Sequence, residues 1–189
     1  MKITAIVGSY RRGGIVESAV DELLAAAQSC GAIVEKINLL DRRVEFCANC
    51  RNCTTEPGPD RGRCLIADDV PAILDAIEAS DAFVLAAPVN FWTVTAIMKR
   101  FIERTVCCGY WPWGGAPKPR RAPTKRAIVI TASAAPAVMA RWGTDAGKLL
   151  RRVAQLLGAK RVDTLWVGLA RRTPDEGLPD RPRARARTL

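Results

Sequence analysis

Ile3-Thr4-Ala5-Ile6-Val7-Gly8-Ser9-Tyr10-Arg11-Arg12-Gly13-Gly14 is a short apolar run that ends in a glycine-rich loop. Val16, Val20, Leu23, Leu24 and Ala27 then recur at helical spacing until Gly31 stops the pattern, so the opening reads as strand, loop and helix. Further along, Ile33–Asn38 alternates as a strand does. Asp68-Asp69 offers an N-cap for a helix through Ala79, with Pro71 in the first turn, where its missing N–H costs nothing. Ala82–Ala86 is a continuous apolar run, the mark of a strand buried on both faces. It leads through Pro88–Thr93 into a helix with Ile97, Phe101 and Ile102 on one side. Lys125–Thr131 is another buried strand, Ala132–Gly143 a loop of small residues, Thr144–Leu157 a helix closed by Gly158, and Val162–Val167 a fifth strand.

Strands alternating with helices in this way build a parallel sheet through right-handed crossovers. The expected fold class is α/β: a flavodoxin-like three-layer sandwich whose five-stranded parallel sheet has the order 2-1-3-4-5. Ligands of such sheets bind outside the carboxyl ends of the strands, so function is expected in the loops Gly8–Ile15, Ala87–Thr93 and Ala132–Ala140. Residues 1–170 are expected to form one domain with a cysteine-rich insertion at 46–65. Residues 171–189 form a basic, proline-rich tail in which a helix over Pro174, Pro179 and Pro182 is short at best.

The chain of 189 residues has no histidine, which excludes Ser-His-Asp and Cys-His nucleophile pairs, His-ligated metals and an imidazole general base. Catalysis must use carboxylates, hydroxyls, thiolates or a bound cofactor. The net charge is +10. It is spread along the chain and lacks the aromatic-basic interleaving of a nucleic-acid reader, so a nucleic-acid partner is not expected and a phosphate-bearing ligand is. The apolar start is too short for a signal segment, and the Ala82–Met98 stretch is broken by Pro88 and Asn90, so the expected location is cytoplasmic with no membrane partner. In such a compartment the seven cysteines are ligands, redox groups or core residues rather than a disulfide framework.

The loop Gly8–Gly14 sits where backbone N–H groups and the positive end of a helix face an incoming anion, with Ser9 supplying a hydroxyl and Arg11 a charge. It is neither a P-loop nor a G-x-G-x-x-G turn. This loop, the run Cys47-x2-Cys50-x2-Cys53 with Cys64 and Asp68-Asp69, then Ala87-Pro88-Val89-Asn90-Phe91-Trp92 and Met98-Lys99-Arg100-Phe101-Ile102-Glu103-Arg104, closely resembles the NADPH-dependent FMN reductase and iron–sulfur flavoprotein group. The resemblance spans residues 1 to about 105. It implies noncovalent FMN, with Ser9, Arg11 and the backbone of Gly14, Ile15 and Val16 on the phosphate. Pro88, Val89, Asn90, Phe91 and Trp92 would line the isoalloxazine. It also implies NAD(P)H as electron donor, and a homodimer or homotetramer whose neighbouring chain helps close the flavin site. Common members carry Asn-Thr or Asn-Ser where this chain has Ile15-Val16, so one hydroxyl contact is lost, and Ser18 stands one turn along.

The spacing C-x2-C-x2-C-x10-C resembles a ferredoxin-type run, with Pro57-Gly58-Pro59 making the return turn to Cys64. Cys47, Cys50, Cys53 and Cys64 are therefore candidate ligands of a 4Fe-4S cluster; a structural zinc and metal-free thiols are the alternatives. Cys30, Cys107 and Cys108 read as packing residues. Tyr110-Trp111-Pro112-Trp113-Gly114 is an apolar loop that either closes the flavin pocket or packs an oligomer interface.

The expected function is an FMN-dependent oxidoreductase passing hydride from NAD(P)H to a small acceptor such as a quinone, a nitro compound or free flavin, with no catalytic side chain named. Two alternatives stand beside it. One is an iron–sulfur flavoprotein relaying electrons between FMN and a protein partner; the other is a non-enzymatic flavin or thiol redox sensor.

Overall fold

In the computed structural model, which describes residues 1–170 and 177–189, the opening apolar run forms β1 (Lys2–Val7) and the periodic segment forms α1 (Ile15–Ser29). There follow β2 (Ile33–Asn38), α2 (Val70–Glu78), β3 (Ala82–Ala86) and α3 (Ala96–Arg104). A short antiparallel hairpin of β4 (Gly109–Tyr110) and β5 (Lys118–Pro119) precedes β6 (Lys125–Ala132), α4 (Ala137–Gly143), α5 (Ala146–Leu156), β7 (Ala159–Val167) and α6 (Asp180–Arg187). The main sheet runs β2-β1-β3-β6-β7 and every neighbouring pair is parallel. With the hairpin set aside, this is the 2-1-3-4-5 order expected from the sequence.

Strand side chains alternate between two cores, as a period of two requires. Ile6, Phe83, Leu85 and Val129 face α2, α3 and α5. Val7, Val84, Ile128 and Ile130 face the other way, against Val16, Val20 and Leu23 of α1 and Ala186 of α6. Burying side chains of this size stabilises the fold by roughly 2 kcal/mol each, and the β3 residues lie between both layers, so the apolar run Ala82–Ala86 needs no polar alternation.

Several boundaries differ from the sequence reading for identifiable reasons. Ala132–Gly143 reads as a loop, yet Ala137–Gly143 forms α4, where Ala and Met favour a helix and nothing in the short segment breaks it. β7 begins at Ala159 rather than Val162, because Lys160 and Arg161 on this edge strand are exposed and hide the apolar pattern. α5 begins at Ala146 rather than Thr144 and ends before Gly158, whose φ of +92° no side-chain-bearing residue adopts easily. The hairpin was not legible, since its two strands have two residues each and lie among prolines.

Of the basic tail, Arg171, Arg172, Pro174, Asp175 and Glu176 lie outside the described residues. The short helix α6 packs on α1, with Arg183 and Arg187 both reaching Glu22 at 3.2 and 2.9 Å. No helix among the described residues is long and apolar enough to cross a membrane.

Candidate functional site

The carboxyl ends of β1, β3 and β6 are tied together by backbone hydrogen bonds. Gly8 N–H donates to the Ala86 carbonyl at 2.8 Å, and Val89 N–H to that of Ala132 at 2.8 Å. The Thr95 hydroxyl, 1% exposed, donates to the Gly8 carbonyl at 2.6 Å and accepts the Met98 N–H at 3.3 Å, capping α3. The Tyr10 hydroxyl accepts the next free amide of that helix, Ile97 N–H, at 3.1 Å. Gly8 is fixed by space, since a Cβ there would stand 2.7 Å from the Met98 Cβ. The loop after β1 and the loop after β3 thus form one platform.

In the first loop, Arg11 N–H donates to the Ser9 hydroxyl at 3.2 Å and Gly13 N–H to the Glu17 carboxylate at 2.7 Å. Burial works against the Glu17 charge, but the Gly13 amide and Lys36, 3.1 Å away, outweigh it and leave its pKa below the ordinary value. Gly14 caps α1 without a side-chain bond, and no acceptor among the described residues takes the N–H groups of Gly14, Ile15 or Val16. Arg11 is exposed and its guanidinium has no partner among the described residues. The Ser18 hydroxyl, one turn along, instead donates to the Gly13 carbonyl at 3.3 Å. Helix-start amides without an acceptor, with a cationic side chain in the same loop, are the kind of group that can take an anion.

In the second loop, Asn90 and Thr93 exchange backbone hydrogen bonds at 2.7 and 3.1 Å around a two-residue turn. Both central residues, Phe91 and Trp92, have positive φ, +47° and +65°. Glycine and asparagine are the usual residues there, so two aromatic residues in this geometry carry local strain. Their rings meet edge to face at 5.1 Å and are 85% and 64% exposed, while the Trp92 carbonyl accepts the Asp145 N–H at 2.8 Å. Exposed aromatics held in this way at the carboxyl ends of the strands offer apolar faces to a ligand.

The third feature is the cysteine segment. Cys47, Cys50, Cys53 and Cys64 line one cavity with Ile66, Arg104, Val106 and Trp111. Asn49 and Arg51, between the first three cysteines, have φ of +51° and +63°, and these left-handed residues let the run wind round the cavity. Arginines pin the segment: Arg120 donates to the Cys53 carbonyl at 3.1 Å, and Arg51 donates to the Trp111 carbonyl at 2.6 Å. The Arg51 guanidinium also stacks 3.8 Å over the Trp113 ring and 4.7 Å over Trp111. The apolar loop Tyr110–Gly114, expected at the flavin pocket or an interface, therefore rests on the cysteine segment of its own chain. Burial, with Cys107, Cys64 and Cys47 close by, pushes the Cys53 thiol up to about 11. Burial opposes the Arg104 charge, but its bond to Asp68 prevails and keeps its pKa above the ordinary value. Of the cysteines read as packing, Cys107 is buried and donates to the Arg104 carbonyl at 3.3 Å, while Cys30 is exposed at the end of α1.

A tetrahedral zinc site needs its sulfurs about 3.8 Å apart, given Zn–S bonds of about 2.3 Å. Among the described residues no three Cys, Asp or Glu side chains stand close enough to share a single ion. An iron–sulfur cube takes one thiolate on each of its four irons, and the four thiols that line this cavity match that donor number.

The structure places Ser9, Arg11 and Gly14 in one loop with Ile15 and Val16 opening α1 after it, Pro88, Val89, Asn90, Phe91 and Trp92 in the adjoining loop, and the four cysteines round a separate cavity. Thr95 and Tyr10, which join the two loops, were not singled out in the sequence; the Thr-x-x-Met start of an apolar helix was a readable N-cap signal for the first.

Fold and site together define a doubly wound α/β protein with a glycine-rich loop before α1 and an aromatic loop at the carboxyl ends of its strands. The chain belongs to the NADPH-dependent FMN reductase family, which it matches over residues 1–167. It is 34% identical over 112 residues to an iron–sulfur flavoprotein of Archaeoglobus fulgidus, covering 59% of this chain and 49% of that protein. It is 35% identical over 105 residues to one of Methanocaldococcus jannaschii, covering 56% and 52%. The chain spans about half the length of the curated relatives it matches. Among solved structures, an NAD(P)H:quinone oxidoreductase from Methanothermobacter marburgensis superposes with a TM-score of 0.69 at 18% identity, covering 100% of this chain and 94% of that one. An archaeal flavodoxin superposes with a TM-score of 0.58 at 10% identity, covering 100% and 93%. These two likenesses establish the flavodoxin-like fold.

Proposed function

We propose that this chain binds FMN at the carboxyl edge of the sheet and works as an NAD(P)H-dependent oxidoreductase that reduces a small acceptor such as a quinone, a nitro compound or free flavin. The observation that carries this reading is the set of amides of Gly14, Ile15 and Val16 without an acceptor among the described residues, at a helix start that packs against the stem of the exposed Arg11. When bound, FMN supplies the two-electron chemistry. The amides and Arg11 hold the phosphate; Ser9 shapes their loop. Pro88 to Trp92 present apolar faces and backbone donors to the ring and keep water from one side of it. No side-chain acid or base is needed for hydride transfer, which suits a chain without histidine.

The carboxyl edge is open on a single chain, and Phe91, Trp92, Val138, Met139 and Trp142 are all exposed there or on the adjoining α4. This supports a homo-oligomer in which a neighbouring copy covers the ring.

Titrating purified protein with FMN, followed by NADH and NADPH oxidation with a quinone, tests the reading. Quenching of flavin fluorescence at one FMN per chain together with turnover is expected. Absence of FMN binding overturns the reading, and binding without turnover supports the redox-sensor alternative instead. Arg11→Gln is expected to weaken FMN by roughly ten- to a hundredfold, the worth of a charge-assisted phosphate contact.

A second reading is favoured by the four thiols on one cavity: Cys47, Cys50, Cys53 and Cys64 hold a 4Fe-4S cluster that exchanges single electrons with the flavin and a protein partner. The names of the Archaeoglobus and Methanocaldococcus relatives support it. Iron and acid-labile sulfide assays on anaerobically purified protein test it; about four of each per chain are expected, and a yellow, iron-free protein after reconstitution overturns it.

A further inference from the structure

Arg104 forms part of the wall of the cysteine cavity. Arg104, in the last turn of α3, is the largest fully buried side chain among the described residues, and its ion pair with Asp68 is out of water, the two side chains being 1% and 0% exposed. Burying such a pair is costly, and packed apolar residues often serve stability as well, so stability is a weak account of it.

The geometry is more informative. Both terminal nitrogens of Arg104 donate to the two carboxylate oxygens of Asp68, Nη2 to Oδ1 at 3.2 Å, and Nη1 donates also to the Glu45 carbonyl at 3.2 Å. The guanidinium is thereby locked as a fork, and its Nη2 also donates to the Cys64 sulfur at 3.4 Å. Asp68 in turn accepts the Glu45 N–H at 2.8 Å and the Val70 N–H at 3.2 Å. One carboxylate therefore fixes the chain two residues before Cys47, the start of α2, and the cation that faces Cys64. The other arginines are differently engaged: Arg51, which also lines the cavity, donates to a carbonyl and stacks on tryptophans, and Arg120, outside it, donates to carbonyls of Gly109, Cys53, Glu56 and Gly58. Among the described residues Arg104 is the guanidinium bonded to a sulfur.

We infer that Arg104, locked by Asp68, is a positioning residue that holds the Cys64 sulfur at the cavity wall and raises the reduction potential of an iron–sulfur group bound there. The inference rests on the second reading above. Adding an electron to a thiolate-held centre adds negative charge, and a buried cation hydrogen-bonded to a ligand sulfur stabilises that reduced state more than the oxidised one.

The test compares anaerobically reconstituted wild type, Arg104→Gln and Arg104→Lys by iron and sulfide content and by a redox titration followed by electron paramagnetic resonance. Arg104→Gln is expected to make reduction at least about tenfold less favourable, a midpoint about 59 mV lower for a one-electron couple. Arg104→Lys, which keeps the charge, is expected to recover most of that shift. Should Arg104→Gln not fold with an unpaired Asp68, Arg104→Met combined with Asp68→Asn removes both charges while keeping a side-chain acceptor, and its midpoint is expected to fall as well. A wild type without iron and sulfide overturns the second reading and the inference with it. A wild type and a loaded variant with the same midpoint leave the reading standing and overturn the inference alone.

Discussion

The Thr95 hydroxyl serves two partners at once, the Gly8 carbonyl and the Met98 amide, and it is buried. Thr95→Val keeps the shape and removes both bonds, leaving a buried carbonyl and a helix amide unsatisfied. The expected loss is about 1–3 kcal/mol in urea unfolding, with Thr95→Ser close to wild type. If Thr95→Val is as stable as wild type, the link between the loops is not what holds them. Glu17 adds a pH dependence. Its folded pKa lies below the ordinary 4.5, so its stabilisation is present above that value and is lost as pH falls through the folded one. Burial opposes the Lys36 charge, but Asp21 and Glu17 outweigh it and raise its pKa above 10.5, so it contributes below that value and loses its contribution as pH rises past the folded one. Wild type is therefore expected to lose more stability than Glu17→Gln between about pH 5 and pH 3; parallel melting curves for the two proteins would count against the Gly13–Glu17–Lys36 arrangement.

At the scale of elements, legibility followed locality. The β1 strand, its loop and α1 could be read because apolar periodicity and glycine placement lie within thirty consecutive residues. The winding of Cys47–Cys64 could not. It depends on left-handed Asn49 and Arg51 and on arginines donated from α3 and from the residue after β5, contacts far apart in sequence. The Asn90–Thr93 turn was placed correctly as a loop, but its geometry was hidden, because Phe91-Trp92 is not a pair that announces two positive φ values. That mismatch is testable. Phe91→Asn with Trp92→Gly supplies the residues such a turn prefers, and both aromatics are mostly exposed, so the pair is expected to gain about 1 kcal/mol in stability. The same variant is expected to weaken FMN binding and NAD(P)H turnover. A loss of stability in urea would mean that the edge-to-face contact outweighs the backbone strain.

Over the whole molecule, the two cores close both faces of the sheet but leave its carboxyl edge to the solvent, and the large apolar side chains left outside include Phe91, Trp92, Val138, Met139 and Trp142. Apolar residues on adjoining segments favour association, whereas a net charge of +10 on each copy opposes it. These two terms respond oppositely to salt. Screening weakens the repulsion, with a Debye length of about 10 Å at 0.1 M, and leaves apolar burial intact. Self-association is therefore expected to tighten as salt rises from about 0.05 to 0.3 M, observed by sedimentation as a shift from 20.5 kDa toward a multiple of it. An association held by surface ion pairs would loosen over the same range. Trp142→Glu, on an exposed helix position 75% open to solvent, is expected to leave the fold intact and to hold the protein at one chain. Since a neighbouring copy would cover the ring bound beside Phe91 and Trp92, the same substitution is expected to weaken FMN binding without touching the phosphate cradle. If the mass falls to one chain and FMN affinity is unchanged, each flavin site is complete within a single copy; if the mass does not fall, the interface lies on another face.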